Sequence, residues 1–295
     1  MISNFVLGAT GAVGEFLLPV LAARGERVIA LSRSAHDEVS SVSIEWLRGD
    51  LFGAIAPLPA VDTIYSLGPL DAFSIWFAAQ LAAGASPPRT LIALSSMSAE
   101  SKQASIEAAE RALAERLRAA EARLFDATSR HGISCTILRP TLVYGSGRDR
   151  SLAPLARFAR RWRVLPIPRD AHGLRQPVHA EDLARACIAV GEAAGSAGKT
   201  YALGGAERLR FDEMLARIAA LPSHRALALR IPIRWLALAS RIARAPAAGA
   251  GALSRLQIDL VADHSAAMHD FGYAPRAFVA EQVLPEGHDK FNSRL

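Results

Sequence analysis

The stretch from Phe5 to Leu21, FVLGATGAVGEFLLPVL, limits what this chain can fold into more than any other feature. Gly8, Gly11 and Gly14 stand between an apolar run and an amphipathic one, with Thr10 and Val13 among them. Gly8 permits a tight turn, Gly11 lets the backbone approach a diphosphate, and Gly14 lets a helix lie close on a sheet. A helix that starts there offers free N–H groups and a positive dipole end to the anion. A glycine triplet alone says little. Here a strand precedes it, a helix follows, and a second strand comes at Arg27–Leu31, which is the setting of a dinucleotide-binding βαβ unit.

The rest of the chain repeats that alternation. Strands are expected at Asn4–Leu7, Arg27–Leu31, Ser43–Leu47, Thr63–Leu67, Thr90–Leu94 and Ile133–Leu138, with helical runs at Val13–Arg24, Ala72–Ala83 and Ile106–Arg130. This predicts the α/β class: a Rossmann-type parallel sheet flanked by helices. Residues 1–203 form the expected dinucleotide-binding domain. A smaller, mostly helical C-terminal substrate lobe is expected over 204–295, with 148–173 contributing to it. In the lobe, Arg230–Arg244 reads as a helix with a wetted arginine face (Arg230, Arg234, Arg241, Arg244), or alternatively as a membrane-surface helix.

Composition excludes several classes. The net charge of +6 rests on scattered arginines without a basic run or interleaved aromatics, which argues against nucleic acid. No run of about 18 apolar residues predicts a membrane span. Cys135 and Cys187 lie in apolar contexts and read as buried thiols, and a strand starting by Ser3 leaves no room for a signal peptide, so a cytoplasmic protein is expected. The eight histidines have no metal-ligand spacing. The second strand ends in ALSRS, with Arg33 where NAD-selective sites usually place an acid. A guanidinium there suits a 2′-phosphate, so NADP is the expected cofactor, with NAD the alternative.

Several further motifs resemble one family. Arg48-Gly49-Asp50-Leu51, Tyr65-Ser66-Leu67-Gly68, Leu94-Ser95-Ser96, Leu138-Arg139-Pro140-Thr141-Leu142-Val143-Tyr144-Gly145, Gln176-Pro177-Val178-His179 through Asp182, and Gly272-Tyr273-Ala274-Pro275-Arg276 occur in that order. Together with the glycine turn they resemble an extended, atypical short-chain dehydrogenase/reductase, similar to the nucleoside-diphosphate-sugar epimerase/dehydratase group. The likeness covers about the first 205 residues well and the tail weakly. It implies that Asp50 and Leu51 face the adenine, that Leu67 and Gly68 meet the cofactor at the fourth strand, and that Ser95, Pro140, Thr141 and Val143 lie along the nicotinamide end. Family analogy also suggests a homodimer through the long helix.

One departure decides the chemistry. The family's hydride transfer rests on Tyr-x-x-x-Lys, a phenol whose proton transfer a nearby lysine cation assists. None of the four tyrosines has a lysine four residues later, and the usual slots fall near Leu113 and Leu117. Ser96, Lys102 and Tyr144 are the candidate substitutes. Arg148 and Arg175 are the candidate clamps for a small-molecule, anionic substrate. His179 and Asp182 read either as a proton relay or as a helix cap that ties the two lobes together. Two functions remain open: an NADP-dependent oxidoreductase or epimerase-like enzyme with a non-standard proton donor, or a catalytically inactive NADP(H)-binding regulatory, redox-sensing or accessory protein.

Overall fold

The computed structural model describes residues 2–34, 43–53, 55, 57–223, 225–232 and 255–284. Seven strands make one parallel sheet: β1 (Ser3–Leu7), β2 (Arg27–Ser32), β3 (Ile44–Arg48), β4 (Thr63–Ser66), β5 (Thr90–Leu94), β6 (Ser134–Pro140) and β11 (Thr200–Leu203). Their spatial order is β11-β6-β5-β4-β1-β2-β3. Parallel neighbours require a crossover each time, which is why helices punctuate the strands. Helices α1 (Gly14–Ala23), α2 (Leu70–Ala82), α3 (Ser98–Ser101), α4 (Ala108–Arg130), α5 (Leu152–Trp162), α6 (Ala180–Glu192) and α7 (Phe211–Ala219) follow in chain order, then α8 (Ser265–Phe271). The order reverses between β1 and β4, and at such a switch point the carboxyl ends of the strands part to leave a crevice.

Strands covered on both faces are apolar throughout, as VIAL in β2 and LIAL in β5 are. One face packs under α1 and α6, through Leu17, Leu21, Leu183 and Val190. The other packs under α2 and α4, through Phe73, Phe77, Leu124 and Ala127. A third core joins Tyr144, Leu152, Ile167, Met214, Ile218 and Phe278 beyond the carboxyl edge. Cys135 and Cys187 sit in the two sheet cores as free thiols. Burial pushes each thiol up to about 12, so the reactive thiolate is scarce at pH 8. Ellman's reagent is therefore expected to find neither thiol in the native protein and both in denaturant. Rapid native labelling would contradict that burial.

Beyond Tyr144 the chain adds short strands to its helices. Short strands β8 (Val164–Pro168) and β13 (Leu227–Ile231) pair in parallel, and β9 (Leu174–Arg175) pairs antiparallel with β12 (Leu209–Arg210). Arg230 therefore lies on a strand, and residues 233–244 of the expected arginine-faced helix lie outside the described residues. Pro166 and Pro168 are tolerated in β8 because a strand of a two-stranded pair has an edge that needs no N–H donors. Among the described residues no helix is long and apolar enough to cross a membrane.

Candidate functional site

The glycine turn sits at the switch point. Gly8, at φ +79°, is left-handed, and a Cβ on it would come within 2.9 Å of the Gly68 nitrogen. The turn after β4 thus lies against the turn after β1, and Leu51 reaches the same spot, with its Cδ1 3.9 Å from where a Cβ on Gly68 would stand. Gly14 is tighter still: a Cβ there would stand 2.3 Å from the Ala9 carbonyl oxygen and 2.6 Å from that of Gly8. Gly11 is more open, since its Cβ would meet only Gly8, with the oxygen at 3.0 Å. Val13, buried, caps α1, and Thr10 is exposed at the crest. The backbone is thus bare toward the crevice at Gly11 and closed behind it at Gly14. That shape and the dipole of α1 fit a dinucleotide's diphosphate.

The flanking residues line the same edge. Asp50 is half-buried, its Oδ1 accepting from the Phe52 N–H at 3.1 Å, and Arg33 is exposed at the end of β2. On the far side of the switch point, the chain after β5 stays paired with β6. The Ser95 N–H donates to the Leu138 carbonyl at 2.7 Å and the Met97 N–H to that of Pro140 at 3.0 Å. Thr141 is held by its N–H on the Leu203 carbonyl at 2.9 Å and by its hydroxyl on the Gln176 carbonyl.

Two predicted residues sit elsewhere. Tyr144 is fully buried among the third core, its hydroxyl donating to the Ala277 carbonyl at 3.4 Å and accepting from the Val279 N–H at 3.1 Å. Strand alternation explains this: in β7 (Val143–Tyr144) Val143 packs toward the α1/α6 core, so its neighbour must point the other way. Burial raises the phenol's pKa, and both hydrogen bonds of its hydroxyl are to backbone groups. Arg148 reaches back over the glycine turn. Its Nη1 donates to the Thr10 carbonyl at 2.6 Å, and its Nε lies 3.6 Å from Glu15.

Ser95 is engaged as well. Its hydroxyl donates to Glu121, a buried carboxylate on α4 that also accepts from the Nε of Arg139 at 2.9 Å and from its Nη2. Arg139 completes the group with an ion pair to Glu100, and its pKa is raised, first by the hydrogen bond to Glu121. Sequence reading missed this cluster, although the signal was there. Ala114, Leu117, Glu121, Leu124 and Thr128 follow one another at spacings of three and four, so a glutamate stands in the apolar stripe of α4 and requires a partner.

Beyond Ser96 and Thr141 a cleft of about 830 Å³ opens between the α3–α4 connection, the start of α5 and residues 256–260. Lys102 lines it, 3.8 Å from Glu110. Arg175 lines it too, donating to the carbonyls of Leu174 and Ile258 at 2.8 Å and lying over the Phe211 ring. The structure therefore brings Ser96, Lys102 and Arg175 to one cavity but leaves Tyr144 out of it.

His179 and Asp182 show the capping geometry. His179 caps α6, its Nδ1 accepting from the Glu181 N–H at 3.2 Å, while Phe16 and Tyr144 hold the ring. Burial, then the nearby Arg276, lowers its pKa, in keeping with a neutral acceptor. Asp182 accepts from the Arg276 N–H at 2.9 Å and from its Nε at 3.0 Å, fastening the late segment onto α6. Among the described residues no group of His, Cys, Asp and Glu is placed to hold a metal.

Comparisons agree with this architecture. The model of the NAD dependent epimerase/dehydratase family matches residues 86–204, so the chain resembles that family. A curated relative from Dictyostelium discoideum, NADH dehydrogenase (ubiquinone) 1 alpha subcomplex subunit 9, mitochondrial, is 31% identical over 85 residues, covering 29% of this chain and 23% of its own. A protein of the same name from Arabidopsis thaliana is 28% identical over 240 residues, covering 71% and 55%. The chain thus spans from under a quarter to just over half of these relatives. A solved UDP-glucuronic acid 4-epimerase from Bacillus cereus in complex with NAD shares the fold, with a TM-score of 0.72, 15% identity and 96% of each chain covered.

Proposed function

From that resemblance, we propose that this chain holds an NADP-type dinucleotide along the carboxyl edge of its sheet without the group's Tyr–Lys hydride chemistry. The observation that carries the reading is the glycine turn, bare at Gly11 and sealed at Gly14, set at the switch point of a parallel sheet. In this reading Gly11, the start of α1 and Arg148 take the diphosphate, Asp50 and Leu51 flank the adenine, and Arg33 takes the 2′-phosphate. Leu67 and Gly68 wall the middle of the crevice, and Ser95, Pro140, Thr141 and Val143 wall the nicotinamide end. A bound nicotinamide supplies a hydride donor or acceptor. Turnover needs a proton partner beside it, and Leu117, in the lysine slot, packs against the α2/α4 core instead.

The names of two relatives, each a subunit of a NADH dehydrogenase, support an accessory or regulatory holder over a free-standing enzyme. The enzyme reading keeps one observation in its favour, the cleft that brings Ser96 and Lys102 together beside Thr141. The two separate in one experiment. NADPH is expected to raise the melting temperature while reduced-nicotinamide absorbance stays flat across carbonyl and nucleotide-sugar panels. Sustained loss of that absorbance with any substrate would overturn the holder reading.

Cofactor choice tests Arg33. Charge-assisted bonds to a phosphate contribute about 1.5–3 kcal/mol when sheltered and less when exposed. Arg33→Ala is therefore expected to weaken NADPH binding about tenfold and leave NADH unchanged. Equal affinity of the parent protein for both, unaltered in the variant, would contradict the assignment.

A further inference from the structure

In the strand pair β8–β13, β8 packs one side into the protein, while β13 is exposed from Leu227 to Arg230. Parallel register sets Ala228 beside Leu165 and Arg230 beside Ile167; Leu165 and Ile167 enter the third core, while Ala228 and Arg230 on the same side stay exposed, Arg230 3.6 Å from Asp212 of α7. The outer side therefore carries Leu227 and Leu229, both exposed, beside half-buried Val164 and Pro166, with Ile231 half-buried and Pro168 buried at its far end. All six are apolar, where a solvated strand face ordinarily carries polar residues. Leu227 is 67% exposed and Leu229 46%. At the start of the pair, where the Leu227 N–H donates to the Arg163 carbonyl, Trp162 is 59% exposed, with Phe158 at 6.4 Å between ring centroids.

Among the described residues the charges beside this face are mainly arginines. Arg160, Arg161 and Arg163 precede β8, Arg169 follows it and Arg225 precedes β13, all exposed. Across 158–170 and 225–231 the sequence holds one carboxylate, Asp170. Arg161 lies over the Trp162 ring at 5.3 Å. Arg163 and Arg225 are also the described non-glycine residues with positive φ, at 55° and 38°. Both turns that open the strand pair thus place an arginine at a left-handed position that glycine fills more cheaply.

We propose that this face docks on an anionic lipid surface, with the leucines and Trp162 entering the headgroup boundary and the arginines meeting lipid phosphates. An apolar face with an aromatic at its end and a cationic border fits that boundary, whereas a second copy of the chain would oppose one arginine border to another.

Co-sedimentation of the full chain with vesicles tests it. The protein is expected to pellet with phosphatidylglycerol/phosphatidylcholine vesicles and not with phosphatidylcholine alone, and about 0.5 M salt should weaken binding about tenfold. Leu229→Glu should reduce binding about tenfold, and Trp162→Ala, at an exposed site outside the strands, should reduce it severalfold with the melting temperature kept. No binding to anionic vesicles, or binding unchanged in both variants, overturns the proposal. So does a dimer in light scattering that Leu229→Glu dissolves while lipid binding is lacking, since the face then belongs to a second copy.

Discussion

Gly14→Ala is expected to abolish dinucleotide binding and to destabilise the fold. The added methyl would stand 2.3 Å from the Ala9 oxygen and 2.6 Å from the Ala9 carbon, and both are backbone atoms of the turn itself. No side chain can swing aside, so either α1 lifts from the sheet or the turn opens. Overpacking of this kind costs about 1–3 kcal/mol, and lifting α1 carries away the N–H groups that face the diphosphate. Gly11→Ala is the informative companion. Its methyl meets the Gly8 oxygen at 3.0 Å and otherwise projects into open space, so the melting temperature should stay within a few degrees. The same methyl occupies the approach a diphosphate needs, and NADPH affinity should fall by about tenfold or more. Calorimetric titration with thermal melts checks the pair. Parental affinity in Gly11→Ala would show that the anion is not held at this turn.

Asp182→Ala is the second large effect, and it acts on stability. Asp182 is buried and accepts from the Arg276 backbone N–H and guanidinium, and Arg276 also reaches Glu181 at 2.7 Å. Removing the carboxylate strands a backbone donor and leaves Arg276 with one partner. Breaking a buried pair costs about 3–5 kcal/mol; the arginine is partly exposed, so about 2–3 kcal/mol is expected, a melting point lower by several degrees. Asp182→Asn keeps an acceptor for the N–H and should lose less. Chemical denaturation measures both. If Asp182→Ala matches the parent in stability, the bond to Arg276 does not fasten the late segment.

Much of the fold was legible because its signals are local. The apolar runs of β1, β2, β5 and β6 and the glycine turn each announce themselves within a few residues. The tail was harder to read. Leu227–Ile231 is a strand only because Val164–Pro168, about sixty residues earlier, pairs with it, and two prolines in that partner argue for a loop when read alone. The site divided in the same way. Asp50, Leu67, Gly68, Pro140 and Thr141 follow from strand ends, which the parallel topology sets on the sheet's carboxyl edge. Tyr144 depended on the parity of a two-residue strand, Ser95 on a glutamate 26 residues away, and Arg148 on a loop that folds back onto Thr10. These are long-range facts that local pattern does not carry.

On this reading a pyridine dinucleotide is held at the Gly8–Gly14 turn. Calorimetric titration of the purified full chain with NADPH tests it most directly. A saturable one-to-one isotherm that Gly11→Ala weakens is the predicted result. An absence of binding to NADPH and NADH alike, up to millimolar concentration, would contradict the account.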